Sequence, residues 1–307
     1  MAHYSYEKCL QRSYQVNWRI DDVLGYGRFD PRREWLPKAL SATSDLRFLE
    51  SDERRKLTHL EMASYAHLFG YAEEFVTPLL LDLARDYEGH ERTPCHALTN
   101  FAAEEVKHMN LFRQIRDRIE DDLGFELALL GGQQDMTRLV LSKSRGAVLL
   151  LASCIEWVTQ RHYRECFHDS ASLDPFTQHI FKSHWLEESQ HAQLDHLETT
   201  RIFAAMHQAE KDQAVDDLVA LVGAVDGWLV AQAELDAENL QHYLGRTLPA
   251  GERSQVYDRV LRAKRHTFLA MGVTHPNFVA LFAEVATPEQ QARVSAALDT
   301  LLPGVQP

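Results

Sequence analysis

From Ser51 onward, apolar residues recur at helical spacing, and no segment shows the strict alternation of a β-strand. The pattern therefore predicts an all-α protein. Four long helices are expected over residues 52–87, 93–122, 138–168 and 174–207, with a loop at residues 124–134. Three more are expected over residues 211–244 and 252–271 and from Thr287-Pro288 to just before Pro303.

Capping residues and prolines set the expected limits of these helices. Ser51 is a plausible N-cap for the first, and both Thr93-Pro94 and Asp174-Pro175 place a proline directly after a capping residue. Pro78 falls inside the first helix, where it should kink the helix or interrupt its hydrogen bonds.

The remaining segments extend this picture without adding a second domain. Residues 1–50 are weakly periodic and predict an irregular arm with one short helix near residues 32–40. No linker rich in proline, glycine or serine precedes the C-terminal helices. We therefore expect a single domain over residues 1–307, with a four-helix bundle at about 52–208 and accessory helices packed on it at about 211–302.

Composition excludes several classes of function. The chain has 307 residues and a net charge of −13, which argues against binding to nucleic acid or to an anionic membrane. The longest wholly apolar run, Ala147 to Ala152, is far too short to cross a bilayer. The polar N-terminus and four irregularly spaced cysteines lead us to expect reduced thiols and a cytoplasmic location.

Two pairs of a glutamate and a histidine suggest a metal site. Glu105 and His108 are three residues apart, as are Glu188 and His191, and residues at this spacing share one face of a helix. One match is expected by chance, so a lone match is weak evidence. A third match, Glu165 with His168, lies at a predicted helix end, where we expect an exposed surface.

The first two pairs lie at similar depth in their helices and are related by a shift of 83 residues, which suggests a duplicated helical hairpin. One further carboxylate from each of the two other helices would complete a dinuclear carboxylate site. On the third helix Glu156 lies in an apolar stretch, where an acid is costly unless it is paired or bound to metal. On the first helix the candidates are Glu73 and Glu74, and both the shift and the helical phase favour Glu73.

Further polar residues flank these candidates. His184 shares a helical face with Glu188 and His191, as a ligand or as a surface histidine. Metal-bound imidazoles usually donate their second N–H group to a carboxylate. Glu104 could reach His191 in this way and Glu187 could reach His108, although both could equally be solvated acids. Asp195 is another candidate for such an orienting role.

With these residues in place, the chain resembles the p-aminobenzoate N-oxygenase family of ferritin-like di-iron enzymes, which oxidise amines to hydroxylamines and nitro compounds. The resemblance rests on the motif spacing over about residues 55–200, and above all on a histidine four residues before the last glutamate. It implies that His184 is a metal ligand. The implied ligand set is Glu73, Glu105, His108, Glu156, His184, Glu188 and His191.

The resemblance also implies a reaction. It implies two iron ions, dioxygen, a small-molecule amine substrate, an external electron donor and a peroxo-di-iron oxidant, with a homodimer as one possible assembly. Carboxylates and imidazoles suit manganese or a mixed manganese–iron pair as well. Other chemistry on a non-amine substrate, iron storage in a ferritin-like cage and a metal-free scaffold remain alternatives.

The substrate pocket is less well defined. Each candidate lies one or two helical turns from a predicted ligand, and each is also compatible with plain core packing: Tyr65, Phe69, Thr77, Phe101, Thr159 and Gln160. A basic cluster of Arg262, Lys264 and Arg265 could hold a substrate carboxylate, but a solvated helix face is the favoured interpretation.

Overall fold

The computed structural model describes residues 4–41, 43–87, 89, 92–168 and 170–302. Within these ranges the chain is helical and contains no β-strand, with one isolated bridge between Glu34 and Leu173. Thirteen α-helices follow in order: α1 Tyr6–Val16, α2 Ile20–Leu24, α3 Ser51–Glu73, α4 Val76–Arg85, α5 Arg92–Leu123, α6 Gln133–Leu141, α7 Arg145–His162, α8 Pro175–Ala205, α9 Gln208–Leu244, α10 Ala250–Arg265, α11 Met271–Val273, α12 Pro276–Val285 and α13 Pro288–Leu301.

Two helical hairpins form the bundle, which confirms the predicted all-α class. The α3–α4 pair packs along α5, and α7 packs along α8, with α5 and α8 also in contact. α9 lies across α7 and α3, while α10 and α13 pack on α9 and α12 packs on α8 and α7. The accessory helices therefore lie against the bundle.

Among the described residues no single helix is long and apolar enough to cross a membrane. One bent pair of helices, Ala250–Val273 with Pro276–Val285, has the length and apolar composition of a span when the two are taken together, and nothing beyond length and composition points to a membrane.

The predicted interruption of the first helix is present and helps to place Glu73. α3 ends at Glu73, two turn residues follow, and α4 begins at Val76. Pro78 has no N–H group to donate to the carbonyl of Glu74, and its ring clashes with that carbonyl in a regular helix. Glu73 is therefore the last residue of α3, while its neighbour Glu74 is exposed.

The predicted start of the third helix is wrong. Residues 133–141 form the separate helix α6, which follows Gly132 in the left-handed conformation, and α7 begins at Arg145. The backbone N–H of Ser144 donates a 2.9 Å hydrogen bond to Asp217 of α9. This tertiary contact fixes the break, and nothing in the local periodicity marks it.

The C-terminal helices also differ in detail. A π-helical turn, Tyr163–Phe167, follows α7, and a second, His266–Ala270, follows α10. The single helix expected over residues 252–271 is therefore divided into three parts, namely α10, the second π-helical turn and the short α11. α12 was not predicted, because its ten residues give too short a pattern.

The N-terminal arm contains α1 and α2, and the short helix predicted near residues 32–40 is absent. Tertiary bonds hold that segment instead. The backbone N–H of Trp35 donates to Thr58 Oγ1 (3.2 Å), and the Trp35 ring stacks on His59 at 3.8 Å between centroids. The arm is therefore fixed against α3 without regular structure of its own.

This anchor predicts a pH-dependent stability. Burial lowers the pKa of His59 to about 4 from its usual 6.5. Between these values the unfolded chain binds more protons than the folded one, so stability falls as the pH drops from 6.5 towards 4. A shift of this size corresponds to about 3 kcal/mol. Urea unfolding at pH 7 and at pH 4.5 measures how far the free energy of unfolding drops between the two. We expect this drop to be smaller in a His59→Phe variant than in the wild type. Equal losses would contradict the assignment.

Candidate metal centre

The seven predicted ligands come from four helices and are all buried. Glu73 lies on α3, Glu105 and His108 on α5, Glu156 on α7, and the last three on α8, namely His184, Glu188 and His191. Six of them form two overlapping groups whose ligand atoms lie within 4.8 Å of one another: Glu73, His108, His184 and Glu188, and then Glu105, His108, Glu188 and His191.

Glu188 lies at the centre of both groups. One of its oxygens is 2.9 Å from His108 Nδ1 and 2.6 Å from His184 Nε2, and the other is 3.0 Å from His191 Nδ1. Glu105 Oε1 approaches His191 Nδ1 at 2.9 Å. A carboxylate that faces three imidazoles with both oxygens is placed to bridge two cations.

The other two carboxylates, Glu73 and Glu156, each contact a residue of the cluster. Glu73 Oε1 is 3.3 Å from His184 Nε2. Glu156 belongs to neither four-residue group but hydrogen bonds to Glu188. The structure thus brings all seven predicted residues to one place, and it favours Glu73 over the exposed Glu74.

Unsatisfied polar atoms show that the residues present fit a pair of metal ions. Glu73 Oε2, Glu156 Oε2 and both oxygens of Glu105 are buried without a hydrogen-bond donor. Burial raises the pKa of Glu73 to about 8, and it raises the pKa of Glu156 well above the usual range. Buried carboxylates without donors are costly unless they coordinate cations. Four carboxylates and three imidazoles match the oxygen and nitrogen donors that iron and manganese accept.

Two of the three histidines are oriented by carboxylates outside the cluster. His108 Nε2 donates to Glu187 Oε2 and His191 Nε2 donates to Glu104 Oε2, each at 2.8 Å. These are the two cross-helix contacts expected from the sequence. Each places the ring proton on Nε2 and leaves the Nδ1 lone pair facing the cluster.

Side chains that the sequence analysis missed support these carboxylates. Ser13 Oγ, from α1, donates to Glu104 at 2.6 Å. Lys107 pairs with Glu187 and lies 4.3 Å from the ring of Trp18, which in turn stacks on His108. Because Ser13 and Trp18 belong to the arm, only the folded chain reveals that they reach the site.

Asp195 does not take the orienting role expected of it. It is buried, but neither carboxylate oxygen has a hydrogen-bond partner. The physical reason is that Glu104 already occupies His191 Nε2, while His191 Nδ1 faces the cluster. Burial raises the pKa of Asp195 well above its usual range.

The predicted pocket residues divide into three kinds. Tyr65 and Phe69 lie beside the cluster, and the Phe69 ring is 5.9 Å from that of His184. Phe101 stacks on His191 at 3.8 Å and so packs on a ligand. The other three make no contact with a ligand ring: Thr159 and Gln160 donate hydrogen bonds to the backbone carbonyls of Glu156 and Trp185, and Thr77 lies in α4 with its Oγ1 buried and without a hydrogen-bond partner.

An apolar cavity of about 50 Å³ lies between α3, α7 and α9. It contains none of the six residues predicted to form a pocket. Its walls come from α3, the turn that follows α3, α6, α7, α9 and the second π-helical turn. The lining residues are Leu68, Tyr71, Ala72, Phe75, Met136, Leu151, Ile155, Val225, Trp228, Leu229 and Phe268. No local sequence signal joins residues so far apart in the chain.

The basic cluster is not the solvated face that the sequence favoured. Lys264 is buried and lies 2.8 Å from Asp236 Oδ2, while Arg265 pairs with Asp226 at 2.6 Å. Arg262 remains exposed. The third Glu-x-x-His match is on the surface as predicted, with Glu165 paired to Arg161 and His168 exposed.

The orienting carboxylates provide a direct test of the site. Glu187→Gln and Glu104→Gln keep the side-chain shape but remove the charge that polarises each histidine. We expect about 10- to 100-fold weaker metal binding in each. Glu74→Gln, on the exposed neighbour of a ligand, should bind metal as the wild type does. Anaerobic titration with ferrous ion measures all three, and unchanged affinity in both of the first two variants would contradict the role.

The bundle and its buried cluster define the class of ferritin-like proteins with a dinuclear carboxylate site. The family model described as p-aminobenzoate N-oxygenase AurF matches residues 5–243, a span that contains all seven predicted ligands. The chain therefore belongs to this family, and it is an oxygenase.

Comparison with solved structures gives distant matches. One is an R2-like ligand-binding oxidase with an aerobically reconstituted Mn/Fe cofactor, at 14% identity and a TM-score of 0.43, covering 85% of this chain and 91% of that one. A single-residue mutant of an R2-like ligand-binding oxidase matches at 14% identity and a TM-score of 0.42, covering 86% and 94%. No curated protein matches the chain.

Proposed function

We propose that this protein is a non-haem di-iron N-oxygenase that uses dioxygen to oxidise the nitrogen of an amine substrate. The observation that carries the proposal is the buried set of four carboxylates and three imidazoles, with two of the imidazoles oriented from outside. Membership of the N-oxygenase family supports the choice of an amine.

Each group of residues has a distinct task in this proposal. Glu73, Glu105, Glu156 and Glu188, with the three histidines, would hold two iron ions, which supply the capacity to reduce dioxygen by two electrons. Glu104 and Glu187 keep the ring protons of His191 and His108 on Nε2, so that each Nδ1 is available to a cation. An external donor would return electrons to the site.

Exclusion of water is the second contribution of the fold. Every proposed ligand is at most 4% exposed, and Phe69, Phe101 and Phe112 pack on the ligand rings. A dry site strengthens electrostatic interactions and protects reactive species from side reactions. The family assignment and this enclosure favour an oxygenase over an iron store.

The test combines metal analysis with product analysis. The protein is loaded with ferrous ion without oxygen, its iron is quantified, and ¹⁸O-labelled dioxygen is admitted with an arylamine or an amino acid. We expect two irons per chain and a labelled hydroxylamine, nitroso or nitro product by mass spectrometry. Iron that oxidises at the same rate with or without any amine, and leaves every amine unlabelled, would overturn N-oxygenation. A particle of cage size in gel filtration would instead indicate storage.

A further inference from the structure

A cleft at the start of α3 concentrates positive charge. Its volume is about 400 Å³, and it lies between the N-terminal arm, the first turns of α3 and the loop before α8. Only one carboxylate, that of Glu34, is among its lining side chains, against five cations: Arg32, Arg33, Lys38, Arg54 and Arg55. The chain as a whole has a net charge of −13, so the cleft is opposite in sign to the molecule that carries it. A cleft lined by one sign of charge concentrates ions of the other sign.

Local acids compensate three of the five cations. The pairs are Arg32 with Asp30 at 3.0 Å, Lys38 with Glu34 at 3.3 Å, and Arg55 with Asp52. Among the described residues, Arg33 and Arg54 have only backbone carbonyls as hydrogen-bond acceptors. Two positive charges in the cleft are therefore without a counterion from the protein.

The backbone holds these two guanidinium groups in place. Arg33 Nη1 donates to the carbonyls of Ala171 and Leu173, each at 3.3 Å, and Arg54 Nη1 donates to the carbonyl of Leu49. Because both arginines use Nη1, the N–H groups of Nε and Nη2 have no acceptor within the part of the chain that the structure describes. These two N–H groups form the fork with which arginine binds two oxygens of one phosphate or carboxylate.

The rest of the lining restricts the occupant. No aromatic or aliphatic side chain is among the described residues that line the cleft, so nothing there would pack on a ring or an apolar chain. Hydroxyl groups are present instead, including those of Ser44 and Ser51, and they can also donate. Two uncompensated guanidinium groups are matched by an anion that carries two charges and several acceptor oxygens. A terminal phosphate group meets both conditions above its second pKa of about 6, and a carboxylate does not.

We propose that this cleft binds a phosphate dianion, either free or at the end of a small organic ester, between Arg33 and Arg54. The anion contacts the arm and α3 at once, and Arg33 is itself held by the loop before α8. The occupant therefore ties together three segments that lie far apart in the chain. None of the seven proposed metal ligands lines the cleft, and the inference does not depend on the proposed function.

Calorimetry on the iron-loaded full chain at about pH 8 tests the charge requirement. Inorganic phosphate and glycerol 3-phosphate are dianions under these conditions, whereas dimethyl phosphate is a monoanion. We expect both dianions to bind with a Kd below about 1 mM in about 50 mM salt, and dimethyl phosphate to bind at least about tenfold more weakly. The tighter of the two dianions indicates whether the occupant is free phosphate or an ester. Failure of both dianions to bind, or equal binding of dimethyl phosphate, would overturn the proposal.

Variants test the two arginines. Arg33→Gln and Arg54→Gln each remove one fork, and each should weaken binding of the dianions at least about tenfold through the loss of charge-assisted hydrogen bonds. The matched control is Arg47→Gln, because Arg47 is exposed, lies between the two in the sequence and is outside the cleft. It should bind within about twofold of the wild type. Wild-type affinity in Arg33→Gln contradicts the site. Arg33 is exposed, so that variant decides even if Arg54→Gln does not fold.

Iron also binds phosphate, so a further variant separates the cleft from the metal centre. Glu188→Ala, which should not retain iron, is expected to keep its affinity for the dianions within about twofold. Loss of phosphate binding together with the iron would show that the anion binds at the metal and would overturn the proposal. Hydrogen exchange gives the location. A bound dianion should slow exchange in residues 31–55 and leave α13 unchanged, and the reverse pattern would place the anion elsewhere.

Discussion

Glu188→Ala should remove both metal ions from the protein. Its carboxylate lies within 3.0 Å of His108, His184 and His191. Glu188 and His108 each belong to both four-residue groups, but Glu188 is the carboxylate that the two groups share. We expect the iron content to fall from two per chain to below about 0.2, because a shared bridging charge is lost from both positions. Metal analysis after anaerobic loading and desalting measures the change.

The matched control is Glu165→Ala. Glu165 begins the other Glu-x-x-His match, but it lies on the surface against Arg161. This variant should keep two irons. Ferrous ion at about 1,000 times its dissociation constant should stabilise the folded state of the wild type and of the control by about 4 kcal/mol per site. This stabilisation is measured as a rise in Tm. The Tm of Glu188→Ala should not rise. A Glu188→Ala protein that retains two irons would show that the centre lies elsewhere.

Lys264→Met should destabilise the fold strongly. The ammonium group of Lys264 lies 2.8 Å from both Asp236 and the hydroxyl of Ser64, and all three side chains are buried. Removing the lysine leaves the Asp236 carboxylate buried without its counterion. We expect a loss of about 3–5 kcal/mol in the free energy of unfolding, measured by chemical unfolding of the metal-free protein.

Two further variants isolate the cause. Arg262→Met, two residues earlier on the same helix and exposed, should change stability by no more than about 0.5 kcal/mol. The double variant Lys264→Met with Asp236→Leu should cost less than Lys264→Met alone, because it leaves no unpaired charge. Losses of equal size in Lys264→Met and Arg262→Met would contradict the buried ion pair.

The ligand motifs could be predicted because they are local. The i, i+3 and i, i+4 spacings fix the relative positions of Glu105 and His108, and of His184, Glu188 and His191, once the segment is a helix. Glu156 could be predicted for another reason, since an acid within an apolar stretch requires a partner. Glu73 followed from the repeat of the hairpin, and Pro78 marked the break that follows it.

Contacts between side chains on different helices could be predicted only in part. The contacts of Glu104 and Glu187 with the opposite helix were one of two interpretations, because each acid precedes a Glu-x-x-His pair and metal-bound imidazoles usually donate to a carboxylate, but solvated acids fitted the sequence equally well. The approach of Ser13 and Trp18 could not be predicted, since both lie in the arm, whose weak periodicity gives no register against the bundle. Asp195 has the right residue type and spacing, but another carboxylate already occupies the only free ring nitrogen of His191.

The same difference separates the position of Lys264 from what the sequence suggested. Lys264 stands in a basic run typical of a solvated face, and only the packing of α10 on α9 brings it to Asp236. The sequence by itself determined the all-α class, most of the long helices and the candidate metal ligands, because helical periodicity and ligand spacing extend over a few residues. The tertiary structure decided the orienting contacts from the arm, the buried ion pair and the uncharged cavity, because these depend on which distant segments pack together.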